Sequence, residues 1–126
     1  CVAITAESAY RLRLPYMVEL NQDARHTAFT VSVDLAHGIT TGVSAQERTA
    51  TIRALGSPTS RDTDFIRPGH IFPLIADKGG LPVRSGHTEA GIALADLTGG
   101  YPAALLAELN NARRKDPDFT LHFEPT

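Results

Sequence analysis

One cysteine, Cys1, is present in 126 residues, so no disulfide can form within them and a disulfide-stapled secreted scaffold is excluded. Nothing beside Cys1 would depress the pKa of its thiol, which argues against a catalytic nucleophile there. No apolar run approaches the ~20 residues that span a bilayer. The opening Cys1-Val-Ala-Ile-Thr5 is too short for a signal-peptide core. The expectation is a soluble cytoplasmic protein with no membrane partner. An excess of one charge is also lacking: 12 Lys and Arg stand against 14 Asp and Glu, a formal charge of −2 that gives no general pull toward nucleic acid. There is no internal repeat of solenoid length, no His-Glu-x-x-His, no Cys-x-x-Cys and no Walker loop.

What is present is ordinary globular material, 42% hydrophobic and 21% charged, long enough for one domain over residues 1–126 with one core. Cys1 to Ile4 is a short apolar run suited to a strand. Ala6 to Leu14 carries helix formers ahead of Pro15, which would end a helix. Phe29, Val31 and Val33 alternate within Thr27–Val33, the pattern of a half-buried strand. Ile39 to Val43 reads as a turn or the end of a strand. Ser44-Ala-Gln-Glu47 has capping-box spacing for a helix through about Leu55, stopped by Gly56-Ser57-Pro58. Residues 67–86 hold four glycines and three prolines and read mostly as loop, broken by Ile71–Ile75. Thr88–Leu97 is helical in pattern and closed by Gly99-Gly100, and Ala103–Leu109 reads as a buried strand ending near Glu108. Strands alternating with helices predict an α+β or α/β domain.

Chemistry concentrates in the loops. Arg67-Pro-Gly-His70 and Arg84-Ser-Gly-His87 repeat Arg-x-Gly-His with the histidines 17 positions apart. In the second copy, Gly86 permits close backbone approach, Arg84 offers a fork of donors, and His87 with Thr88 opens a helix whose free N–H groups favour an anion. That set suits a phosphate. His87 is equally suited to a metal, its other ring nitrogen held by a carboxylate such as Glu89 or Glu108. The bland alternatives are a turn with a polar rim at Arg67–His70, a capped helix start at Arg84–Glu89, and a solvated face at Arg113-Arg114-Lys115. Glu108 is harder to dismiss, because a carboxylate closing an apolar strand must be solvated, paired or functional.

The blocks "HTAFTVSVD", "GITTGVSAQERTATIRAL", "RPGHIFPL", "RSGHTEAGIALADLTG" and "AELN" resemble, in order and nearly without gaps from Cys1 to about Asn111, the 3,4-dihydroxy-2-butanone 4-phosphate synthase family of riboflavin biosynthesis. The resemblance implies a single α+β domain with a mixed sheet and flanking helices, in a homodimer with its active sites at the subunit interface. It implies conversion of ribulose 5-phosphate to 3,4-dihydroxy-2-butanone 4-phosphate and formate with magnesium or manganese. It assigns His87 to the metal, Arg84, Ser85, Gly86 and Thr88 to the substrate phosphate, and His70 and Glu108 to catalysis. The family's N-terminal acidic loop, which provides a carboxylate metal ligand, has no counterpart in these residues, and Glu108-Leu-Asn-Asn-Ala-Arg-Arg replaces the family's Glu-Ile/Leu-x-Asn-Asp-Asp-Gly. Three readings stand at this point. They are a short divergent lyase acting on a related anionic ketose-like molecule, a synthase trimmed or completed by another polypeptide, and a non-catalytic binding or assembly subunit.

Overall fold

The structure, a computed structural model, describes residues 1–108. Leu109 and the Arg113-Arg114-Lys115 run lie outside the described residues. The apolar start of the chain forms β1 (Val2–Ile4), which is buried throughout. Thr5 then caps α1 (Ala6–Arg11) by accepting a hydrogen bond from the Ser8 amide. This helix is shorter than expected. It stops before Pro15 because Leu12 is its cap and Arg13 takes the left-handed conformation, φ 50°, which turns the buried Leu14 back under the helix.

Residues 27–33 differ from the expected strand. Phe29 and Thr30 make only isolated bridges, to Leu74 and Tyr16. Their neighbours in space include Pro15, whose carbonyl accepts from Val31, and Pro73, whose carbonyl accepts from Thr30. Prolines lack the N–H that a continuous ladder would use, so pairing breaks into single bridges. The regular strand β2 (Val33–Leu35) begins where the prolines end. It is followed by the turn around Gly42, φ 76°, and by α2 (Ala45–Leu55), whose capping box is formed by Ser44 and Glu47 as the spacing predicts.

The Pro/Gly-rich stretch is also more ordered than its composition suggests. Phe65–Ile71 forms β3, antiparallel to β2, and Pro73–Ile75 forms β4. Composition nevertheless leaves its mark on the ladder. Val33 pairs with Ile71 while the adjacent Asp34 pairs with Ile66, so Arg67, Pro68, Gly69 and His70 stand out as a bulge. A Cβ on Gly69 would overlap the Val33–Asp34 backbone, so only glycine lets the bulge lie this close to β2.

The chain ends its described part with α3 (His87–Leu97) and β5 (Ala103–Leu105). The three-stranded sheet has the order β4-β1-β5, parallel between β1 and β4 and antiparallel between β1 and β5, and β2-β3 forms a second sheet. Its core joins Ile4, Leu12, Val33, Leu55, Phe65 and Ile71. Burying each such side chain contributes roughly 1.5–3 kcal/mol. The result is the α+β fold with a mixed sheet that the sequence predicts. One expectation fails at its end: β5 is half-buried to exposed, and Glu108 lies beyond it with its side chain 91% exposed. The carboxylate is solvated, so the cost of burying it does not arise.

Candidate active site

The bulge in β3 delivers His70 to Asp34. The Asp34 side chain is 4% exposed; one carboxylate oxygen accepts the His70 amide at 3.0 Å and the other faces His70 Nδ1 at 2.6 Å. An ionised carboxylate only accepts, so Nδ1 carries the proton and donates. Nε2 is the nitrogen left free of Asp34, on a side chain that is 42% exposed. The imidazole is oriented by a buried carboxylate, in the geometry that lets a histidine exchange a proton at Nε2 while the carboxylate stabilises its protonated form. The preceding residue is held as well, Gly69 donating from its amide to Ser32 Oγ at 3.1 Å.

The second Arg-x-Gly-His is built differently. Arg67 of the first copy is spent on backbone, donating to the carbonyls of Leu12 at 2.6 Å and Phe65 at 3.1 Å. Arg84 instead donates to the fully buried carboxylate of Glu89 at 2.6 Å and to the carbonyl of Arg25 at 3.4 Å. The other Glu89 oxygen accepts the Asp77 amide at 2.9 Å. Burial pushes the Glu89 carboxyl up, but the Asp77 amide, its own amide and the Arg84 guanidinium outweigh burial and hold it below the ordinary carboxylate range. Gly86 caps α3, and a Cβ there would land on both the Arg84 guanidinium and the Glu89 carboxylate. Glycine is required by this ion pair. Ser85 is exposed and Thr88 is buried in the first turn of α3.

Arg84 and Glu89 face a cavity of about 410 Å³ that Tyr16, His26, Asp77 and Lys78 also line. A neighbouring cavity of about 320 Å³ shares Asp77, Lys78 and Glu89 and reaches Glu7 and Asp96. Neither of these two cavities is lined by His70, His87 or Glu108. His87 and Glu108 approach each other on the surface, with Nδ1 3.8 Å from Oε1 and side chains 81% and 91% exposed. Of the two carboxylates suggested as companions for His87, Glu108 is therefore the near one, and Glu89 serves Arg84. Among the described residues no group of three His, Cys, Asp or Glu side chains is arranged to hold a metal.

Asp34 is the residue that sequence reasoning missed, although a signal existed. The argument applied to Glu108, that a carboxylate closing an apolar strand must be paired, belongs to Asp34 at the end of the Phe29–Val33 alternation. His26, Tyr16 and Lys78 carry no such mark, since a 410 Å³ cavity assembled from distant segments leaves no local pattern.

The 3,4-dihydroxy-2-butanone 4-phosphate synthase family model matches residues 1–120. The chain is 52% identical over 111 residues to the 3,4-dihydroxy-2-butanone 4-phosphate synthase of Proteus mirabilis, covering 88% of this chain and 51% of that protein. It is 54% identical over 112 residues to the riboflavin biosynthesis protein RibBA of Chlamydia muridarum, covering 89% of this chain and 26% of that protein. Among solved structures, a 3,4-dihydroxy-2-butanone 4-phosphate synthase in complex with two magnesium ions superposes with a TM-score of 0.81 at 48% identity, over 82% of this chain and 49% of that one. A two-domain synthase from A. baumannii superposes with a TM-score of 0.76 at 44% identity, over 82% and 30%. The chain thus spans from about a quarter to about half of the length of these relatives. Motifs, fold and these likenesses agree: the chain belongs to the 3,4-dihydroxy-2-butanone 4-phosphate synthase family.

Proposed function

We propose that the chain takes part in the family's lyase reaction in riboflavin biosynthesis, converting ribulose 5-phosphate to 3,4-dihydroxy-2-butanone 4-phosphate and formate. The observation that carries this reading is the 2.6 Å contact between His70 and the buried Asp34. The two products together contain the atoms of the substrate, so the chemistry is proton transfer and carbon rearrangement with no net oxidation. Such chemistry calls for an oriented base that becomes an acid. His70 Nε2 takes the proton during enolisation, and Asp34 holds the ring and stabilises the imidazolium that results. Glu108 serves as a second proton-transfer group. Arg84, Ser85, Gly86 and Thr88 receive the substrate phosphate at the start of α3, where free amides and the helix dipole favour an anion.

The relative's magnesium supports a divalent cofactor, with His87 as one ligand. Magnesium demands near-octahedral, largely oxygen coordination, and His87 with Glu108 supplies only two side-chain donors, one of them a nitrogen. No step is therefore assigned to a metal. The reading includes one synthase-like domain over residues 1–126, a homodimer whose sites combine both subunits, and a cytoplasmic location without nucleic-acid or membrane partners. No helix among the described residues is long and apolar enough to cross a membrane. His70 lines neither of the two cavities near Arg84, an arrangement consistent with sites that combine residues of two subunits.

Formate release from ribulose 5-phosphate tests the reading through two variants. His70→Ala and Glu108→Gln should each abolish turnover with the melting temperature near wild type. Wild-type turnover in either variant removes that residue from the mechanism.

A further inference from the structure

The turn that precedes α2 packs against the Asp34 carboxylate. Gly42 sits there with φ 76°, and a Cβ on it would fall on the Asp34 carboxylate. The backbone of this turn is therefore packed directly on the anion that orients His70. A turn of such residues has few reasons of its own to stay in place, and the first turn of α2 supplies them. One Glu47 oxygen accepts the Thr40 amide at 2.5 Å and the Thr40 hydroxyl at 2.7 Å, and the other accepts the Ser44 amide at 3.4 Å. Beside it, Arg48 donates from Nε to the Val43 carbonyl at 2.9 Å and from Nη1 to the His70 carbonyl at 3.4 Å. Glu47 and Arg48 thus grip residues 40–44 from both ends, and Arg48 ties the grip to His70 itself.

We infer that Glu47 and Arg48 are positioning residues that press the Gly42 backbone onto the Asp34 carboxylate and so fix the His70 ring with its proton on Nδ1. The capping box alone would require only the Ser44 and Glu47 contacts. The bonds to Thr40, Val43 and the His70 carbonyl go beyond it, and all of them end at the turn or the bulge. Gly42 completes the device, because any side chain there displaces Asp34. The catalytic consequence rests on the proposed role of His70 as the proton-transfer group; the geometric consequence does not.

The test measures the His70 tautomer in the full chain by 15N imidazole shifts, alongside kcat and KM for formate release, in Gly42→Ala, Glu47→Ala, Glu47→Gln and the reference variant His70→Ala. Gly42→Ala and Glu47→Ala should lose the Nδ1–H signature and lower kcat at least tenfold with KM within twofold of wild type. Glu47→Gln, which keeps one acceptor for Thr40, should recover most of both. A wild-type tautomer in Glu47→Ala and Gly42→Ala overturns the inference, and so does a wild-type kcat in both if His70→Ala is inactive. Should Gly42→Ala fail to fold, the two Glu47 variants decide on the tautomer alone. Full turnover in His70→Ala would overturn the catalytic reading, leaving the tautomer to judge the positioning.

Discussion

Asp34 and His70 meet because the β2–β3 ladder slips: Asp34 pairs with Ile66 although its neighbour Val33 pairs with Ile71, and the four residues left over fold His70 back onto the Asp34 side chain. A register irregularity thus does the work of a sequence motif. It joins residues 36 positions apart in the chain through two contacts, amide to one oxygen and ring to the other. The first contact holds the carboxylate in place while the second determines which ring nitrogen is free.

Replacing Asp34 by Asn preserves shape and removes the anion. The amide can present a donor where His70 now donates, which reverses the tautomer and leaves Nε2 protonated. Turnover should fall by roughly 10²–10⁴, the range expected when an orienting carboxylate is neutralised. Steady-state kinetics with thermal melting separate this from unfolding. A loss of less than threefold would show that the pair is structural.

Glu89→Ala removes the buried partner of Arg84 and one acceptor of the Asp77 amide. Breaking such a pair from one side costs about 3 kcal/mol. Glu89→Gln, which retains the side chain's volume and one acceptor oxygen for one of the two donors, should cost less. Urea unfolding of wild type and both variants measures the differences, and a Glu89→Gln variant as stable as wild type would show that the charge on Glu89 contributes nothing.

Stability toward acid should depend on Glu47. Hydrogen bonds from the Thr40 hydroxyl and amide lower its carboxyl from the ordinary 4.5 to about 2. Its folded value lies below its unfolded one, so its contribution is fully present above about pH 4.5 and is lost as pH falls toward 2. Melting curves across that window should show a steeper decline for wild type than for Glu47→Gln. Parallel curves would contradict the assignment.

Phosphate or sulfate should raise the melting temperature by mass action if Arg84 and the start of α3 bind an anion. Arg84→Ala should remove the increment. An unchanged increment would place the anion elsewhere.

Much of this was legible in the chain. The Ser44–Glu47 capping box and the α2 and α3 boundaries follow from local punctuation, which acts within one helical turn. The positions of the two Arg-x-Gly-His segments were equally plain, but their difference was not. Arg67 closes on backbone carbonyls while Arg84 closes on Glu89, and only the surrounding elements decide between those outcomes. The Thr27–Val33 pattern was correctly extended in character, yet it could not reveal that Pro15 and Pro73 would flank it in space and break its ladder. Asp34 escaped notice for the same reason: its partner lies across a bulge whose register no single strand specifies.

The most direct measurement is formate release from ribulose 5-phosphate by this chain, with and without magnesium, beside His70→Ala and His87→Ala. The account predicts release by the wild-type chain that is abolished in His70→Ala. A folded wild-type chain that releases no formate under either condition, or a His70→Ala variant that releases it at the wild-type rate, would contradict it.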